Sequence, residues 1–226
     1  MKILIVSATS LEIRPLIQAL GEGERINEKR VAYRYKGHHI DVLTTGVGMV
    51  ATSFWLGKTL TENRYQLLIN TGIAGAFNRD LALGSTTWVW HDTLPEMGAE
   101  DGESFLSLID LDLLEDDDFP FSGGEIEAET SIVPEVLNTL PKVISATVNK
   151  VHGNEASIEE FTKRHSADIE SMEGAAFLYA AKVNQVDNIQ LRAISNYVEQ
   201  RDRSNWQIPE AVHSLCRTTL KLIDQL

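Results

Sequence analysis

The sequence is poor in cysteine and in positive charge. Its only thiol, Cys216, has no partner for an internal disulfide, which fits a reducing compartment. Lying in a helical-looking C-terminal segment, it reads as a small core residue and not as a nucleophile. Lys and Arg number 20 against 33 Asp and Glu, a formal net charge of −13. A surface of that sign repels phosphates and anionic lipid, so neither nucleic acid nor a membrane is expected as a partner. Part of the acidity is local: Glu115 to Asp118 form an unbroken run, read as a solvated loop. Long apolar runs are missing too. No stretch approaches the roughly 18 residues of a membrane span. The apolar run after Lys2 stops at Val6, with Glu12 soon following, which is a first β-strand and not the h-region of a signal peptide. A soluble, cytoplasmic protein is expected, with residues 1–226 forming one domain. No His/Cys cluster has ligand spacing, so neither metal nor cofactor is expected.

What the sequence does contain is an alternation of short β-rich runs and helical patterns. Strands are expected at 2–8, at 31–37 and 39–46 around the Gly37–His38 turn, at 65–77, 85–94 and 142–151, and in "IQLRAIS" at 189–195. Helices are expected at 10–20 with Ser10 as N-cap, at 46–60 after a glycine turn, at 157–167, at 172–184 and over roughly 208–225. Residues 95–135, rich in Gly, Pro and acids, read as loops or an insertion. The alternation implies an α/β fold with a mixed, mainly parallel central sheet flanked by helices. Ligands in such sheets sit at the carboxyl ends of strands, which directs attention to residues just after Ala8, Thr45, Asn70, Thr147 and Ile194.

Four stretches near those ends carry candidate chemistry. "GVGMVA" (46–51) matches a dinucleotide-type glycine pattern, but it does not follow the first strand, and two glycines are common wherever a strand bends into a helix. "NTGIAGAF" (70–77) closes an apolar strand with side chains small enough for a flat ligand to approach the backbone; a tight turn explains it equally. In "SMEGAA" (171–176), Glu173 stands at a helix start, where a carboxylate is electrostatically favoured and where it can accept two hydrogen bonds from a ribose diol. Glu170 competes for that role. Glu12, just past the first strand, is a candidate base only in combination with the other pieces.

"SLEI", "NTGIAG", "SMEGAA" and "LRAISN", in this order along nearly the whole chain, resemble the purine nucleoside phosphorylase/nucleosidase superfamily. The late motifs are most similar to those of its futalosine hydrolases. The resemblance implies a small purine nucleoside as substrate and a homo-oligomer. Glu12 would position and deprotonate the attacking water, Met172 and Glu173 would hold the ribose, and Arg192 would lie near the water. Ile73, Ala74 and Gly75 would line the site, with Ser195 and Asn196 at the base. Ile73 stands where nucleosidases commonly have serine, and no aromatic base-stacking residue is obvious near "HGNEASI" (152–158), leaving Phe77 or Tyr197 to substitute. Asn196 replaces the aspartic acid that protonates adenine. An amide donates to a 6-keto oxygen and accepts from a protonated N7, which suits hypoxanthine. The implied reaction is hydrolysis of futalosine. Aminofutalosine or methylthioadenosine hydrolysis, phosphorolysis, and a non-catalytic nucleoside-binding module are its alternatives.

Overall fold

The computed structural model describes residues 1–226. In chain order the elements are β1 (Lys2–Ser7), α1 (Arg14–Leu20), β2 (Gly23–Arg25), β3 (Arg30–Tyr35), β4 (His38–Thr44), α2 (Met49–Glu62), β5 (Leu67–Ala76) and β6 (Thr86–Thr93). Then follow β7 (Gly98–Asp101), β8 (Ser104–Ser107), β9 (Ile126–Glu127), β10 (Lys142–Thr147), α3 (Glu155–Arg164), β11 (Ile169–Ser171), α4 (Gly174–Val183), β12 (Asn188–Tyr197) and α5 (Ile208–Ile223). The main sheet runs β11-β10-β6-β12-β5-β1-β4-β3-β2. Its middle strands β12, β5, β1 and β4 are parallel neighbours, as are β6, β10 and β11, while the β2–β3–β4 edge is antiparallel. Beyond that expected mixed sheet, β11 also pairs antiparallel with β5, so β11, β10, β6, β12 and β5 curl into a closed ring.

Period-2 alternation on the central strands splits the core. Ile3, Ile5, Leu67, Ile69, Ile189 and Leu191 face α1 and α5, whereas Leu4, Val6 and Leu68 face α2 and α4. α5 buries Ala211, Leu215, Cys216, Thr219, Leu222 and Ile223, one stripe at helical spacing, and starts with proline in its first turn. On β12 the alternate positions are polar: Gln190 and Arg192 are fully buried beneath the site.

Three local expectations are corrected. α1 begins at Arg14 and not at Ser10, because Pro15 fits the first helical turn, so residues 10–13 form the turn that carries Glu12. "NTGIAG" does not turn. β5 runs straight through to Ala76, its backbone paired by β12 and β11, and the small residues serve close approach. The 95–135 segment contains a small β7–β8 hairpin of its own.

Candidate active site

A cavity of about 360 Å3 opens where the carboxyl ends of β1, β5, β11 and β12 converge. Its deep wall holds three carboxylates, Glu12, Glu170 and Glu173, together with Ser195 and Asn196. Its mouth is largely apolar: Leu11, Val47, Trp206, Ile208 and Val212, joined by Arg201.

The short turn after β1 fixes Glu12. Its Oε2 accepts from the Thr9 amide at 2.9 Å and the Thr9 hydroxyl at 2.8 Å, and its Oε1 accepts from the Ile73 amide at 3.2 Å. These three donors, two from the turn and one from β5, leave the carboxylate one orientation, aimed over β5. There Gly72 is required: a Cβ at that position would lie 2.1 Å from Nη1 of Arg192 and 3.3 Å from Oε1 of Glu12.

Arg192 is 1% exposed. Its Nη2 donates to Asn70 at 2.5 Å, and its Nη1 sits 3.5 Å from Oε2 of Glu173. Glu173 immediately precedes α4, and its Oε1 accepts from the Gly48 amide at 2.9 Å, which accounts for the glycines of "GVGMVA": Gly46 and Gly48 have φ of 102° and 93°. Burial pushes the Glu173 carboxyl above its ordinary 4.5, with Arg192 and the Gly48 amide opposing that rise and nearby Glu12 adding to it. The buried guanidinium pairs with Glu173 alone, while Glu12 is held by the donors of its own turn and of β5.

At the end of β12 the register shifts. Ile194 pairs with Ala74, but Asn196, not Ser195, pairs with Gly75. This β-bulge turns Asn196 onto the face that bears Gly75. Ser195 donates to Asn196 Oδ1 at 2.8 Å and lies within 3.1 Å of the Ala74 carbonyl, while Asn196 Nδ2 donates to the Tyr197 carbonyl at 3.0 Å. Each end of the amide keeps one further hydrogen-bonding position.

Glu12, Ile73, Ala74, Gly75, Met172, Glu173, Ser195 and Asn196 all line the cavity, and Arg192 lies directly beneath it. Phe77 and Tyr197 do not line it. Phe77 stacks on Phe161 with ring centres 4.8 Å apart, and the Tyr197 hydroxyl donates to the Leu81 carbonyl. The aromatic rings that reach the cavity are Trp206 and His152, neither singled out from sequence. His152 lies in the very segment where a stacking residue was sought; its place there depends on its partner Glu170, 18 residues away.

The Phosphorylase superfamily profile matches residues 2–89. Futalosine hydrolase of Streptomyces coelicolor is 28% identical over 98% of this chain and 95% of its own length. That of Acidothermus cellulolyticus is 30% identical over 77% of this chain and 71% of its own. The native structure of futalosine hydrolase from Helicobacter pylori superposes over 100% of this chain and 98% of its own with a TM-score of 0.83, at 19% identity, a likeness of fold. With relatives matched across both halves of the sheet that builds the cavity, the chain belongs to the futalosine hydrolase family and is an N-glycosidic hydrolase of the phosphorylase superfamily.

Proposed function

We propose that this chain, acting as a single domain, hydrolyses the N-glycosidic bond of futalosine to hypoxanthine and dehypoxanthine futalosine in the alternative menaquinone pathway. The observation that carries the reading is Asn196: the bulge aims an amide at the cavity, beside Gly75, where protonation of adenine would need an acid. As the C1′–N9 bond breaks, its electron pair goes to the base and the sugar becomes oxocarbenium-like. Water attacks C1′ from the face of Glu12, which takes the proton. Glu173 accepts from the ribose hydroxyls. Asn196 donates to O6 and accepts from N7–H, stabilising the leaving hypoxanthine, whose remaining proton comes from solvent. Arg192 offsets the charge of Glu173 from beneath the cavity.

The mouth supports the larger substrate. Trp206, Ile208 and Val212 offer apolar surface to an aryl ring, and Arg201, stacked 4.9 Å over Trp206, offers its carboxylate a cation that no acid of the chain pairs. A homo-oligomer is part of this reading, supported by the exposed apolar face of α2 next to Val47, where Val50 is 84% and Phe54 60% exposed.

Purified protein given futalosine or aminofutalosine in phosphate-free buffer, with free base followed by chromatography, tests the reaction. Hypoxanthine release from futalosine is expected. Adenine release alone refutes the role of Asn196, and cleavage that waits for phosphate refutes hydrolysis.

A further inference from the structure

Three neighbouring strands place an acid, a glycine and an amide in one row. Glu170 on β11 pairs with Gly75 on β5, and Gly75 pairs with Asn196 on β12. Residues paired across adjacent strands present their side chains to the same face. A Cβ on Gly75 would lie 3.3 Å from Asn196 Nδ2 and 3.5 Å from Glu170 Cγ, so both polar side chains flank the space above the glycine. All three residues line the cavity. Two strand spacings, roughly 9–10 Å, separate the outer backbones, which leaves room between the side chains for the edge of a purine lying over Gly75.

We propose that Glu170 is a specificity-determining residue that accepts the N1–H of a 6-oxopurine while Asn196 reads O6 and N7 from the other side of the row. The proposal rests on the purine-nucleosidase reading of this cavity and adds to it the group that rejects 6-aminopurines. A 6-oxopurine carries hydrogen on N1, whereas adenine presents a bare lone pair there. An ionised carboxylate only accepts, so adenine would set lone pair against lone pair. Asn196 alone discriminates less, because an amide offers both a donor and an acceptor.

Glu170 is held for this task. It is 3% exposed, its Oε1 accepts from the His152 amide at 3.0 Å, and its Oε2 accepts from His152 Nδ1 at 2.6 Å. The His152 amide also reaches Oε2 at 3.3 Å, so three of the carboxylate's roughly four lone-pair positions are engaged and one remains for the ligand. His152 is then a positioning residue: it fixes the carboxylate's rotamer and tells which tautomer the ring must adopt, with hydrogen on Nδ1.

A purely structural Glu170–His152 pair, tying β11 to the segment after β10, predicts something different. Removing it would harm every substrate alike. The test is therefore a ratio: kcat/KM on futalosine and on aminofutalosine, for the natural protein and for Glu170→Gln. Replacing the acceptor by an amide, whose nitrogen donates to adenine N1, should lower the futalosine value roughly 10–100-fold and leave the aminofutalosine value equal or higher. Equal losses on both overturn the assignment and leave the hydrolase reading standing. A second measurement needs no variant: inhibition of the natural protein by hypoxanthine, 1-methylhypoxanthine and adenine. Hypoxanthine should bind about tenfold or more tightly than the other two; equal affinities overturn the assignment. If neither nucleoside is cleaved, the hydrolase reading fails, and the base series still decides whether Glu170 reads N1.

Discussion

Gly72 is the position at which the smallest change should do the most damage. A methyl group there would sit 2.1 Å from Arg192 Nη1 and 3.3 Å from both Cζ and Glu12 Oε1. Ordinary contact needs about 3.5 Å, so the guanidinium must retreat by more than about 1 Å. It has nowhere to go: it is 1% exposed, and Asn70 holds its other nitrogen at 2.5 Å. Retreat lengthens a contact to Glu173 that is already 3.5 Å, leaving a buried carboxylate with less compensation. Overpacking costs about 1–3 kcal/mol and disrupting a buried ion pair about 3–5 kcal/mol at full loss, so Gly72→Ala should cost about 3 kcal/mol. For a chain of this size the melting temperature then falls by roughly 6–12 °C. Activity should report the same event through pH. Glu173 already lies above 4.5 because burial outweighs Arg192, so kcat/KM should fall toward acid with a midpoint above that value, and the variant should move the midpoint higher still. Thermal denaturation and a pH profile of kcat/KM check both. A variant with unchanged melting temperature and acid limb would show that Arg192 is not confined between Gly72 and Glu173. Gly75→Ala is the contrast: its Cβ meets side-chain atoms of Val198, Asn196 and Glu170 at 3.0–3.5 Å, so it should raise KM through the base slot with little loss of stability.

Glu12→Gln should reduce kcat by roughly 10²–10⁴-fold while the protein still binds hypoxanthine, measured by steady-state kinetics and base titration; undiminished turnover refutes Glu12 as base. The same change should cost about 1–2 kcal/mol of stability, since donors meet both oxygens and an amide nitrogen must face one of them. Asp92, fully buried between Thr147 and Gln190, is pushed up by burial from 3.8 to about 6. Its folded state favours the protonated acid, so its contribution is fully present below about pH 4 and is lost as pH rises through about 6. The shift of about 2 units corresponds to roughly 3 kcal/mol, so Asp92→Asn should gain that much on the natural protein between about pH 4 and 7 in urea titrations; a constant difference across that range counts against the shift. Arg201→Ala should raise KM for futalosine about tenfold and leave KM for inosine, which lacks the carboxylate, nearly unchanged. Equal effects on both remove Arg201 from substrate recognition.

The order of strands and helices was legible because each element carries its own period: β1 and β12 bury both faces, and α5 shows a helical stripe. The strand ends were legible for the same reason, and they led to the cavity. What escaped depends on distances that no local pattern encodes. The β11–β5 pairing joins residues about 90 positions apart, and without it Glu170 has no relation to Gly75. "NTGIAG" reads as a turn when only its glycines are weighed; its extension follows from two neighbouring strands that complete its hydrogen bonds. The start of α1 was missed by giving Ser10 more weight than Pro15, and that error placed Glu12 on a helix face instead of in the turn that clamps it.

The bulge at Ser195 separates two obligations of one strand. Up to Ile194, β12 answers to the core, and any slip would exchange its apolar and polar faces. Past the extra residue, Asn196 answers to the cavity, while Tyr197 turns away to Leu81. Position 196 can therefore be exchanged between amide and acid without repacking anything upstream. A lineage carrying this bulge can change the base it cleaves while its scaffold stays the same, so preference for the base should diverge among relatives faster than the strand that carries it.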